Sequence, residues 1–167
     1  RRRPTNAATA AAPACRERPA GPPRPSRTCP VFENTPAVKL LVDPQSGRIL
    51  DANRSAVAFY GQPREHLRAC RLADLAAGDP APVAEGLRRA RAGEQPVLPL
   101  DQRLASGEVR ETETVVGAIT AEGRTLLHVL VHDVTDRQQA MRRLRASEER
   151  FRAIADHTYD LETWVDP

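Results

Sequence analysis

From residue 37 onward the apolar side chains recur at spacings that name the elements. In residues 37–43, Val38, Leu40 and Val42 alternate with Lys39 and Asp43, the period-two pattern of a strand with one buried face. Pro44-Gln45-Ser46-Gly47 is a turn, and residues 48–52 read as a second short strand, so the two form a hairpin. Asn53 stands where a side-chain oxygen can cap free helix N–H groups. Ala56, Val57, Phe59 and Tyr60 then follow at helical spacing until Gly61. Pro63 to Leu67 opens another short helix with proline near its first position, and Leu72-Ala73-Asp74-Leu75 is one more turn. Asp79-Pro80 begins a longer helix, in which Val83, Leu87 and Ala90 form the buried stripe and after which Gly93 closes.

Three strands follow. Residues 96–104 carry Val97, Leu98, Leu100 and Leu104, and Pro99, which lacks an N–H, predicts an edge position or a bulge. Ser106-Gly107 turns into residues 109–119, where threonine and valine dominate, and Glu122-Gly123 turns into residues 124–132, the most apolar strand. After Asp133 the period becomes helical. Positions 137, 141, 144, 148, 151 and 155 alternate spacings of four and three. Met141, Leu144, Phe151 and Ala155 are apolar there, while Arg137 and Glu148 interrupt. That predicts a linker helix over 135–155 with a short coiled-coil seam, too short to hold a dimer alone. A helix lying on its own domain is the competing reading.

Composition adds boundaries. Residues 1–27 concentrate proline, alanine and arginine and cannot bury enough apolar area to offset chain entropy, so a disordered lead is expected, with the folded part starting near residue 28. The net charge is +3, and the basic excess sits in that lead and on helix faces without interleaved aromatics, so nucleic acid is not an expected partner. The three cysteines, Cys15, Cys29 and Cys70, are odd in number and widely spaced. They predict no disulfide framework and suit a reducing cytosol. No run of about 18 apolar residues exists, so no membrane-spanning segment is expected. Arg1-Arg2-Arg3 is followed by no proper apolar stretch and is not read as an export signal. The chain opens on Arg and stops at Pro167, just after what reads as the start of a strand, which suggests a piece of a longer protein.

Val31-Phe32-Glu33-Asn34-Thr35-Pro36, Val42-Asp43-Pro44, Gly47 through Asn53, and Tyr60-Gly61 with Arg64-Glu65-His66-Leu67 stand in an order that resembles the PAS family. The sharpest piece is His132-Asp133-Val134-Thr135-Asp136-Arg137, which is similar to that family's junction between last strand and exit helix. The resemblance implies an α+β fold over residues 28–134: a five-stranded antiparallel sheet with helices on one face, plus the exit helix. In the junction, Thr135 can cap the helix, Asp136 favours its positive end, and Asp133 and Arg137, four apart, can pair. Asp133, Thr135 and Arg137 are therefore the expected signal-transmission residues. Val165-Asp166-Pro167 repeats Val42-Asp43-Pro44, so residues 156–167 resemble the truncated start of a second such domain.

Members of the family can hold a cofactor, yet none is predicted here. The flavin-binding type carries an Asn-Cys-Arg-Phe-type motif; Arg68-Ala69-Cys70-Arg71-Leu72 lacks both the Asn and the Phe, so Cys70 reads as a small core or surface residue. Residues 80–92 hold no histidine for a haem. His128 and His132 share a strand face without a third ligand, so no metal site is expected. Glu111 and Glu113 read as a solvated face, and no catalytic residues are identified. Phe59, Leu75, Val83 and Leu87 are the expected wall of a pocket for an unknown small ligand, and suit a dry core equally. The resemblance implies a non-catalytic, cytoplasmic, bacterial sensory module. It would act as a homodimer ahead of an output domain in the same chain, such as a histidine kinase or a diguanylate cyclase. A dimerisation spacer or protein-interaction module that senses nothing is the alternative.

Overall fold

The computed structural model describes residues 30–121 and 123–162, with side chains described as far as Arg152. The predicted lead, the repeat at Val165-Asp166-Pro167, and the cysteines at 15 and 29 lie outside the described residues. The chain divides into two units, one ending at Asp133 and one starting at Val134.

The first unit opens with α1 (Pro30–Glu33), followed by the hairpin β1 (Val38–Val42) and β2 (Ile49–Ala52). Gly47 donates its N–H to the Asp43 carbonyl at 2.9 Å, and Asp43 Oδ2 accepts from the Ser46 N–H at 2.7 Å, which closes the turn. Next come α2 (Arg54–Tyr60), α3 (Arg64–Ala69), a 3₁₀ turn over Leu72–Leu75, and α4 (Ala81–Arg91). Gly61 ends α2 at φ 66°, in the left-handed region that glycine enters without steric cost. The remaining strands are β3 (Val97–Arg103), β4 (Val109–Ala121) and β5 (Arg124–Asp133).

The five strands form one antiparallel sheet in the order β2-β1-β5-β4-β3. β3 is an edge strand, which explains how Pro99 is accommodated. Burial alternates along each strand, and the registers align the buried sides. Leu98 faces Thr114, Thr114 faces Val131, Val116 faces Val129, and Leu40 faces Val129 from the other flank. On this side Leu40, Val42, Leu127, Val129 and Val131 pack with Ala56 and Tyr60 of α2, Leu67 of α3, and Val83 and Ala90 of α4 in one core. The five-stranded antiparallel sheet with helices that the resemblance implies is thus the observed fold.

The second unit is α5 (Thr135–Glu162), a helix of 28 residues. It continues beyond residue 155, so residues 156–162 extend the linker helix.

Candidate functional site

The centre of the core is not apolar throughout. β3 alternates Leu98, Leu100, Gln102 towards the core, and β4 alternates Thr112, Thr114, Val116. Two neighbouring strands therefore point an amide and two hydroxyls inward, against the end of α2, where Tyr60 is fully buried. Tyr60 Oη donates to Gln102 Oε1 at 2.6 Å, and Gln102 Nε2 donates to Thr114 Oγ1 at 3.1 Å. Thr112 Oγ1 donates to the Leu100 carbonyl at 2.9 Å. That bond uses the Thr112 proton, so the 3.4 Å contact between the two threonine oxygens has Thr114 as its donor. The result is a one-way chain of donors from helix to sheet. Burial pushes the Tyr60 phenol well above its ordinary range, so it stays a donor. The ring of Phe59 stands edge-on to it, with centroids 5.0 Å apart.

The four residues expected to wall a pocket belong to the same core or pack against it. Leu75 and Val83 belong to the buried core, and Phe59 and Leu87 are partly buried against it. The helix carrying two of them sits hard on the sheet. A Cβ added to Gly86 of α4 would lie 2.3 Å from Leu98 Cδ1, so any larger residue there requires Leu98 or the helix to shift.

Asn53 caps α2 as predicted, accepting from the Ala56 N–H at 2.9 Å. It also accepts from the Lys39 N–H at 3.0 Å and donates to the carbonyls of Phe32 at 3.1 Å and Ala37 at 2.8 Å. One buried amide thus fastens α1 and the start of β1 to α2. Glu33 adds an ion pair to Arg64 of α3 and accepts from the Arg54 N–H at 3.2 Å. Cys70 is buried, as a core reading requires, but it is disulfide-bonded, which the spacing of the cysteines did not suggest. Spacing along a chain says nothing of the approach of two Cα atoms in space, which is what a disulfide needs.

At the end of the sheet, Asp133 closes β5 opposite Thr112. Within its own unit it pairs with Arg110, whose Nη1 lies 3.4 Å from Asp133 Oδ2 and whose Nη2 lies 2.9 Å from Glu108 Oε1. α5 begins at Thr135 itself. The carbonyl of Val134 accepts from the Gln138 N–H at 2.9 Å, which puts Val134 at the cap position and Thr135 one residue inside. Thr135 is buried, Asp136 lies in the first turn near the positive helix end, and Arg137 is exposed. On the other side of the sheet, burial and then the Lys39 charge lower the His128 pKa. Among the described residues no group of three or more His, Cys, Asp or Glu side chains is placed to hold a metal ion.

A family model described as the PAS fold matches residues 32–139. The chain belongs to the PAS family. Over 113 residues this PAS domain is 30% identical to the diguanylate cyclase DgcM of Escherichia coli strain K12, an alignment covering 65% of this chain and 27% of that protein. The chain thus spans well under half the length of the curated relatives it matches. The PAS domain of an HTR-like protein from Haloarcula marismortui superposes with a TM-score of 0.56 at 18% identity, covering 62% of this chain and 86% of that one. A PAS domain from a two-component sensor histidine kinase gives 0.54 at 16% identity, covering 62% and 89%. At these identities the likeness to solved structures is one of fold.

Sequence reasoning missed the donor chain inside this PAS domain. Its signal was present: polar residues at 102, 112 and 114 fall on the side of β3 and β4 that the neighbouring leucines and Val116 mark as buried. Arg110 as partner of Asp133 was also missed, because the strand pairing that brings them together is not visible in spacing.

Proposed function

We propose that this PAS domain is the sensory input module of a bacterial signal-transduction protein, passing a ligand or partner signal through α5 to an output module in the same chain. The observation that carries the reading is the position of β5. It is the middle strand of the sheet, it lends Leu127, Val129 and Val131 to the core, and the chain runs from it directly into α5. A change in the core that shifts β5 is a change at the start of that helix. Asp133, Thr135 and Arg137 are the proposed transmission residues, with Arg110 holding Asp133 from within the sheet. A coupling of about 1–3 kcal/mol suffices for such a role.

The proposed ligand is a small, mainly apolar molecule with one polar group. Phe59, Leu75, Val83 and Leu87 would enclose it, and the Tyr60–Gln102–Thr114 chain would meet its polar atom. The residues present act by binding and by shape, and we assign the module no catalysis of its own. The likeness to DgcM and to a kinase PAS domain supports a diguanylate cyclase or histidine kinase as output. A homodimer is part of this proposal. The exposure of Met141, Leu144 and Phe151 on α5 favours a second reading, a dimerisation spacer that senses nothing.

Native mass spectrometry of the chain, followed by a metabolite screen read by thermal shift, separates the two. A retained or stabilising small molecule, lost on Tyr60→Phe, is the expected result. A dimer that binds nothing in the screen would sink the sensory reading in favour of the spacer.

A further inference from the structure

Cys70 follows the last residue of α3 and is fully buried, and it is disulfide-bonded. The chain holds two other cysteines, Cys15 and Cys29, both outside the described residues and both ahead of α1. The partner of Cys70 within the chain is therefore one of these two.

The placement of α1 decides between them. Its Phe32 is buried, with a carbonyl that accepts from Asn53 Nδ2 at 3.1 Å, and its Glu33 pairs with Arg64, the first residue of α3. Cys70 stands past the other end of α3, about 9 Å along the helix from Arg64. Cys29 is four positions before Glu33 in the sequence. A stretch of that length reaches about 13 Å when extended, enough to run the length of α3. Cys15 lies fourteen residues further from the same anchor, and bringing it to α3 closes a longer loop at higher entropic cost.

The site also accommodates the broken bond. The Cys70 N–H donates to the Leu67 carbonyl at 3.1 Å, and its carbonyl accepts from the Ile49 N–H at 3.0 Å. Main-chain bonds thus hold residue 70 with or without the disulfide. Its sulfur lies 3.3 Å from the His66 carbonyl, an acceptor in place for the thiol of the reduced form. Burial screens the Cys70 sulfur from an incoming thiolate, whereas Pro30 and Val31, next in sequence to Cys29, are exposed.

We propose that Cys29 and Cys70 form a thiol–disulfide switch that ties the start of the folded unit to α3 and is worked by a dithiol reductant. The switch goes beyond the ligand reading and does not depend on it. One thiolate of the reductant attacks the Cys29 sulfur. The S–S bond breaks, and Cys70 leaves as a thiolate that takes up a proton and donates it to the His66 carbonyl as a hydrogen bond. The second thiolate of the reductant attacks the mixed disulfide and releases Cys29, which is protonated in turn. The reductant ends as a disulfide, having supplied both electrons. In the reduced form α1 keeps its bonds to Asn53 and Arg64, and the chain ahead of it is untied from α3.

The test is alkylation of the whole chain in denaturant with peptide mass mapping, before and after the folded protein is treated with millimolar dithiothreitol. In the air-oxidised chain Cys15 alone takes the label, and after treatment all three cysteines do. The melting temperature falls by about 5–15 °C on reduction. Cys29→Ser starts at the lower value and no longer responds to the reductant, whereas Cys15→Ser melts and responds as the parent does. Label on Cys29 and not on Cys15 would overturn the pairing. A disulfide that survives millimolar dithiothreitol in the folded chain and yields only on unfolding would overturn the switch and leave a structural bridge. Three labelled cysteines in the air-oxidised chain would overturn both.

Discussion

Tyr60 is the side chain on which the interior turns. A phenol buried at the end of α2 requires an acceptor, and Gln102 supplies one at 2.6 Å. Tyr60→Phe keeps the ring and its edge contact with Phe59 but leaves Gln102 Oε1 buried without a donor. The expected cost is about 1–3 kcal/mol in urea denaturation. Adding Gln102→Leu to that variant removes the stranded acceptor, so the double variant is less destabilised than the sum of the singles. A coupling energy near zero in that double-mutant cycle would mean the two groups do not depend on each other. Asn53 works by the same logic through four hydrogen bonds, spending its side-chain donors and acceptors on backbone groups of α1, of Ala37 just before β1, of β1 and of α2.

Among the elements, α4 shows how one absent side chain places a helix. Gly86 lets the helix backbone settle against Leu98, and an added methyl would come within 2.3 Å of one leucine methyl and 2.9 Å of the other. Alanine is the better helix former by about 1 kcal/mol in solvent. The clash outweighs this, so Gly86→Ala lowers stability by about 1–3 kcal/mol in thermal or urea unfolding. Leu98→Ala in the same chain opens space for the methyl, and the second substitution then costs less than it does alone. A Gly86→Ala chain as stable as the parent would show that α4 can slide outward freely. The other elements differ from expectation mainly at their ends. β4 runs two residues beyond 119, α5 continues past residue 155, and Thr135 lies inside that helix rather than capping it. Ends are set by which backbone groups find partners, a matter that side-chain periodicity does not encode.

For the molecule as a whole, the two sheet faces respond differently to pH. The core face holds neutral groups, whereas the outer face holds the half-buried His128, directly across from Leu41 and Gly117. Lys39 stands diagonally across on β1, and Glu113 lies across from the neighbouring His132. Burial and the Lys39 charge both disfavour the imidazolium, so the folded pKa lies below the ordinary 6.5. The unfolded chain then takes up the proton first. Stability is full above pH 6.5 and declines as the pH falls below it, until the folded form is protonated as well. Denaturation midpoints should therefore drop between pH 7.5 and 5.5, and His128→Gln should flatten that drop. An unchanged slope in the variant would assign the pH dependence to other groups.

Much of this architecture was readable from the residues in order. Alternation marked the strands, Asn53 and Gly61 marked the two ends of α2, and Pro99 marked β3 as an edge or bulged strand, because these signals act between neighbours along the chain. The ordered motifs around Asp133 and Arg137 placed the strand-to-helix junction. The strand order, with β5 between β1 and β4, had to come from the fold, since pairing is decided by which faces bury together. The same holds for what the pairing juxtaposes: Arg110 beside Asp133, Gln102 beside Thr114, Gly86 against Leu98. Residues far apart in sequence meet there through packing, and packing is settled by shape and burial in three dimensions rather than by spacing in one.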